Sequence, residues 1–255
     1  MDKQHSSQAT TIRLNKFLAE RLGVSRREAD EIISSGKVLI DDQPAVLGSR
    51  IDKSSKVCYN NKIVPFETEY SYIAFNKPVG YVCSRRAQGS APTLYDLLPR
   101  EYSHLKTVGR LDKDSSGLIL LTNDGDFAFQ MTHPKFRKNK VYEVELDRPL
   151  EPLHQQMISD YGVEIGDGVS RFKIIKDASA GDAAWGSPSR ASARMGEGAA
   201  AGPTERYLAI LSEGRNRQIR RTFAALGYHV TRLHRTEFGK YTLGDLKPGC
   251  FVVLK

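Results

Sequence analysis

Asp112 and Asp114 stand two residues apart in the stretch "GRLDKDSSGLILLTNDGD", residues 109–126, with Arg110 and Lys113 beside them. An apolar run, Leu118-Ile119-Leu120-Leu121, follows directly. Burying charge is costly unless it is paired, so this cluster at the mouth of a strand reads as structural, metal-binding or catalytic. "DKDSSG" opens like a calcium loop, but position twelve, where that loop needs a bidentate Glu, is Asn123. A two-carboxylate hydrolase fails on a different point: no separate acid stands at the spacing that glycosidases require. A covalent carboxylate is a further candidate. An Asp nucleophile must be ionised, and a buried Asp stays ionised only beside a cation.

"EGRNRQIRR", residues 213–221, supplies candidate cations on the first turns of a helix. Arg215 and Arg217 read as phosphate contacts. Arg220 follows the apolar Ile219 and can turn inward toward a pocket. Tyr142 in "KVY" reads either as an ordinary strand aromatic or as a third element of a site. The six histidines show no ligand spacing, and the three cysteines form neither a CxxC pair nor a disulfide framework. No GxxxxGK[ST] motif supports an ATP-dependent reaction, and NAD binding has no support either.

The elements that must position these residues are legible in outline. Leu14, Phe17, Leu18 and Leu22 recur at helical spacing before Gly23, and Ser25 with Glu28 forms a capping box for a second helix ending near Gly36. "KVLID" and "SKVCYN" read as strands. Residues 11–60 thus form a small helical and hairpin unit, with Arg13, Lys16, Arg26, Arg27 and Lys37 on or beside its helices. Residues 61–70 read as a linker and 1–10 as a disordered tail. A larger unit spans 71–255. It holds strands at "YIAF", "KVYEVELD", "SRFKIIK", "ERYLAILSEG" and "HVTRLHRTEFGKYTL", and helices at "DFAFQMTH", capped by Asp124, and "NRQIRRTFAALGY". Within it, 20 of the 26 residues of 178–203 are Ala, Gly, Ser or Pro, the composition of a flexible insertion. The fold class is α+β, with a mixed, mostly antiparallel sheet flanked by helices.

The net charge is +8, and its distribution points to a polyanionic partner. "HPKFRKNK", residues 133–140, holds four cations and no anion, and residues 205–255 hold ten Lys or Arg against four Asp or Glu. Hydrophobic residues make up 40% of the chain, enough for a core. No apolar run approaches the roughly 20 residues that cross a bilayer, and the N-terminus has no secretory signal pattern. A cytoplasmic protein with no membrane partner is expected.

Taken in order, "NKPVG", "GRLDKDSSGLILLTNDGD", "KVYEVEL" and "EGRNRQIRR" resemble the RsuA-like pseudouridine synthases of ribosomal RNA. Residues 12–58 resemble the S-four-like RNA-binding domain that often precedes that catalytic domain. The resemblance implies isomerisation of uridine to pseudouridine within ribosomal RNA, either a structured stem-loop or an assembly intermediate, by a monomer with no cofactor and no metal. It implies that Asp112 is the catalytic aspartate, that Tyr142 stacks on the target base and assists proton removal, and that Arg220 pairs with Asp112. Ile219 packs under the base, and Arg110 holds the flipped nucleotide. Arg13, Lys16, Arg26, Arg27, Lys37, Lys77, Arg215 and Arg217 are the expected RNA contacts.

Overall fold

The computed structural model describes residues 11–67, 69–85, 89–177 and 205–254; the expected tail 1–10 and insertion 178–203 lie outside the described residues. The first unit contains β1 (Ile12–Arg13), α1 (Leu14–Arg21), α2 (Arg26–Ser34), β2 (Val38–Ile40), β3 (Gln43–Pro44), β4 (Arg50–Ile51), β5 (Val57–Tyr59) and β6 (Lys62–Ile63). The capping box forms: Glu28 N donates to Ser25 Oγ at 3.2 Å, and Ser25 N donates to the Glu28 carboxylate at 2.7 Å. Leu14, Phe17 and Leu18 of α1 pack with Ala29 and Ile33 of α2 over Val38, Ile51 and Val57.

Two tight hairpins build the small sheet, in the order β3-β2-β5-β6. Their turn pairs, Asp41-Asp42 and Asn60-Asn61, all have positive φ, a conformation that Asn and Asp tolerate and that two-residue hairpins require. The second hairpin corrects the expected boundary at residue 60. β6 belongs to the first sheet, Val64 is buried, and Phe66 lies 4.5 Å from the Phe17 ring. The segment read as a linker starts as a strand because Asn60-Asn61 turns the chain back.

The second unit contains β7 (Tyr72–Lys77), β8 (Lys106–Val108), β9 (Ser116–Thr122), α3 (Gly125–Thr132), β10 (Lys140–Leu146), α4 (Pro152–Gln156), β11 (Val163–Glu164), β12 (Val169–Ser170), β13 (Lys173–Lys176), β14 (Arg206–Leu211), α5 (Gln218–Ala225), β15 (Val230–Phe238), β16 (Tyr241–Thr242) and β17 (Phe251–Val253). Nine of these strands form one sheet, in the order β13-β14-β10-β15-β9-β7-β17, with β16 on β15 and β8 on β9. The sheet is mixed and mostly antiparallel, as expected; β15 and β9 run parallel.

β9 is buried along its whole length. Ile119 and Leu121 face a core with Phe75, Leu94 and Leu105, while Leu118 and Leu120 face another with Val108, Met131 and Phe238. A strand covered on both faces reads as a continuous apolar run. Asp124 caps α3, accepting from Asp126 N at 2.9 Å and Phe127 N at 3.0 Å. Among the described residues no helix is long and apolar enough to cross a membrane.

Candidate active site

The loop 109–115 joins β8 to β9, which pair antiparallel, and so places Asp112 at the end of the buried hairpin. The loop is held on both sides of that residue. Cys83 Sγ lies 3.3 Å from Leu111 O and 3.4 Å from Leu111 N, and Gly80 N donates to Lys113 O at 2.8 Å. Ser115 N closes the turn onto Asp112 O at 3.1 Å. Asp112 opens onto a cleft of about 300 Å³, shared with Tyr142, Ile219, Arg235 and the rim residue Arg110.

The two carboxylates of the turn have different surroundings. Asp114 receives both Arg217 Nη groups at 2.9 Å, and Arg220 Nε lies 3.2 Å from its Oδ2. Partial burial alone would raise its pKa, but the Arg217 hydrogen bonds and the charges of Arg220 and Arg217 outweigh that and lower it. Asp112 has a looser partner: Arg217 Nη1 stands 3.8 Å from its Oδ2. Asp114 lines a separate cavity behind the turn, with Val79, Arg217 and Arg220.

This corrects the expected pair. Arg220 does not bond Asp112. Its guanidinium donates to Asp114 O at 2.8 Å and Val230 O at 2.7 Å. The helix geometry explains it: α5 begins after Arg217, which is left-handed with φ +47°, and that turn aims Arg217 at the loop while Arg220 reaches beneath it. Ile219, on the same first turn, is buried and forms part of the cleft wall.

A cation absent from the expected set occupies the cleft instead. Arg235 of β15 is only 2% exposed. Its Nε donates to Leu118 O at 2.7 Å, its Nη1 makes a long 3.4 Å contact to the Tyr142 hydroxyl, and its Cζ lies 4.8 Å from the Phe238 ring centroid. Both Arg235 and Ser115 line the cleft, and Arg235 Nη2 and the Ser115 hydroxyl are buried with no hydrogen-bond partner among the described residues. Tyr142 is the cross-strand partner of Arg235, at a register shift between Val141 and Tyr142; such a bulge re-aims a side chain. Lys140 also lines the cleft, and burial, with Arg235 nearby, lowers its pKa. The signal for Arg235 was faint: an arginine two residues beyond Leu233, in phase with a buried face.

Gly117 makes the approach of β9 to β15 possible. Its φ is +106°, and a Cβ there would lie 2.2 Å from Arg235 O and 2.5 Å from Arg235 N. Glycine is required at both counts. On the same strand pair, Ser116 Oγ and His234 Nδ1 meet at 2.8 Å.

The expected RNA contacts divide. Arg13, Arg26, Arg27 and Lys37 are exposed on the first unit. Lys16 is committed to Asp126 at 2.6 Å and 2.8 Å. Lys77 is fully buried, donates to Pro78 O at 2.9 Å and cannot reach an RNA backbone. Burial pushes its pKa down to about 8, against the opposing pull of Cys83, Asp112 and Asp114. Arg215 is spent on Gly168 O at 3.1 Å, Val169 O at 2.7 Å and Glu213 at 3.1 Å, which tie the 166–169 loop to the cleft. Arg217 is the ion-pair partner described above. In each case a carboxylate or carbonyl within the fold has taken the cation that composition alone assigns to phosphate. Among the described residues no group of three or more His, Cys, Asp or Glu is placed to hold a metal ion.

Residues 71–225 match the model of the RNA pseudouridylate synthase family, and residues 12–57 match the S4 domain. The chain is 30% identical to the ribosomal small subunit pseudouridine synthase A of Pasteurella multocida, over 92% of this chain and 91% of that one. It is 32% identical to the ribosomal large subunit pseudouridine synthase B of Yersinia pestis, over 91% of this chain and 68% of that one. A crystal structure of a pseudouridylate synthase superposes with a TM-score of 0.62 at 28% identity, over 96% of both chains. With the synthase model over residues 71–225, the S4 match ahead of it and relatives aligned over most of their length, the chain belongs to the RNA pseudouridylate synthase family and is a pseudouridine synthase.

Proposed function

We propose that this enzyme converts uridine to pseudouridine at a defined position in ribosomal RNA, with Asp112 as nucleophile and without a cofactor or metal. The observation that carries the chemical part is the division of labour in the turn. Asp114 is saturated by two arginines, whereas Asp112 faces the cleft with one loose 3.8 Å contact. A carboxylate with free lone pairs beside a cation can attack. The names of the small- and large-subunit relatives support ribosomal RNA as the substrate.

The target base must leave its stack, at a cost of about a few kcal/mol. Stacking on Tyr142 offsets roughly 1–3 kcal/mol of that, and Ile219 supplies the apolar side of the pocket. Asp112 attacks the ribose carbon C1′, and the C1′–N1 bond breaks with its electron pair on the uracil. Arg235 and Ser115 line the cleft and each carries an unpartnered donor, Nη2 and the hydroxyl, able to hold that anion once the base is seated against them. The held base turns until C5 faces C1′. The C1′–C5 bond forms, Asp112 departs as carboxylate, the C5 hydrogen leaves as a proton to the Tyr142 oxygen while that hydroxyl passes its own proton on to solvent, and N1 takes one proton up from solvent. Nothing is gained or lost overall, and no redox partner is needed.

The test is tritium release from ribosomal RNA carrying 5-tritiated uridine, offered as free small- and large-subunit RNA and as assembly intermediates. Release with one substrate is expected. No release with any of them would overturn the reading.

A further inference from the structure

We propose that a second cavity, next to the catalytic cleft, binds an unpaired nucleotide of the same RNA strand. This rests on the RNA-substrate reading and extends it to a site that the reaction itself does not use. The cavity, of about 670 Å³, is walled by the rings of Tyr72, Phe127, Phe136 and Tyr241. Tyr72 and Phe127 meet edge-on at 5.0 Å and Phe127 and Tyr241 at 6.0 Å, so these rings form one continuous wall. Phe136 is 37% exposed, edge-on to Phe129 at 5.8 Å and with the Lys135 ammonium 4.7 Å from its ring centroid. Arg137, Lys138 and Lys240 stand among the rings, and no lining residue is acidic. Two amide side chains, Gln130 and Asn139, complete the wall and offer donors and acceptors to a base edge.

The position of the cavity ties it to catalysis. The segment after α3 is a partition between the two sites. Pro134 and Lys140 line the catalytic cleft, whereas Phe136, Arg137 and Lys138 line the second cavity. At the end of β15, Phe238 faces one and Gly239 the other. Arg137 is held at φ +46°; the described non-glycine residues with positive φ are four Asp or Asn in hairpin turns, Arg137 and Arg217. Strain of this kind persists where surrounding structure imposes it and clusters at binding sites. The two strained arginines sit on the walls of the second and the first site.

Rings interleaved with cations match the repeat of a single strand, whose bases stack and whose phosphates need charge. A paired stem hides its bases and offers only backbone. The occupant is therefore an unpaired nucleotide near the target uridine.

The full chain carrying Asp112→Asn is titrated by fluorescence anisotropy with a fluorescein-labelled single-stranded RNA of ten nucleotides. A fully paired RNA hairpin serves as the second probe. Phe136→Ala is expected to weaken the single strand at least about fivefold, with Phe136→Trp restoring it. Lys138→Glu with Lys240→Glu is expected to lower the slope of log affinity against log salt by about two. Hairpin affinity is expected to change by less than about twofold in the Phe136 variants, because a paired stem offers no base to stack. Unchanged single-strand affinity, or equal losses for paired and unpaired RNA, would overturn the proposal. Tritium release by the otherwise wild-type chain separates the two claims. Release together with unchanged single-strand binding sinks this site alone, while failure to release with intact single-strand binding sinks the reaction and leaves the site.

Discussion

Asp114 accepts two 2.9 Å hydrogen bonds from Arg217, and Asp112 accepts none as short from any arginine. Two carboxylates that are equivalent in sequence spacing are thus made unequal by the helix that packs behind them. Arg235 completes the site in a way a lysine could not, since one guanidinium spans Leu118 O, the Tyr142 hydroxyl and the open cleft. Arg235→Lys is expected to lower kcat about 100-fold with RNA affinity nearly unchanged; steady-state tritium-release kinetics and anisotropy check the split, and an unchanged kcat would remove Arg235 from the account. Lys77 carries a pH signature. Its folded pKa of about 8 lies below its ordinary 10.5, so the buried charge destabilises the fold in full below about 8. That penalty is relieved as pH rises toward 10.5. Lys77→Met is therefore expected to be more stable than wild type at pH 7, by up to about 3 kcal/mol, with the gap closing by pH 10.5. Urea unfolding across that range measures it; a difference independent of pH would contradict it.

At the scale of elements, the pairing of β9 with β15 decides whether Arg235 enters the cleft. Gly117 is the point of closest approach, and Gly117→Ala places a methyl group against the Arg235 backbone at a φ that alanine avoids. Thermal and urea unfolding should show a loss of at least about 2 kcal/mol, together with a fall in kcat; a variant as stable as wild type would show that the strands can move apart freely. The same pairing marks what the sequence could and could not say. The Ser25 cap, the Asp124 cap and the apolar run of β9 are local signals, and each formed the element expected. Arg235, in contrast, becomes a site residue only through a strand register across more than a hundred residues, and register is not written locally. The internal partners of Lys16, Lys77 and Arg215 are hidden from the sequence for a related reason. Composition counts cations, but only tertiary structure shows that Asp126, Pro78 O and the 168–169 carbonyls have already taken them. The Asn60-Asn61 pair is itself a hairpin signal, and the strand after it is only two residues long.

Across the whole molecule the net charge is +8. The S4 unit presents Arg13, Arg26, Arg27 and Lys37, the segment 133–140 presents its own cations, and the cleft lies beside that segment. Binding energy gathered on these remote surfaces can offset the cost of unstacking the target base at Asp112. On the proposed reading, substrate selection lies in the large surface and chemistry in one carboxylate, so the two should separate under mutation. The direct comparison is single-turnover tritium release and RNA affinity for wild type, Asp112→Asn and Asp114→Asn. Asp112→Asn is expected to bind ribosomal RNA as wild type does and to release no tritium. Asp114→Asn, which frees Arg217 and Arg220 but leaves the nucleophile, is expected to retain activity, reduced about tenfold. Tritium release by Asp112→Asn, or complete loss in Asp114→Asn with release intact in Asp112→Asn, would contradict the assignment of the nucleophile.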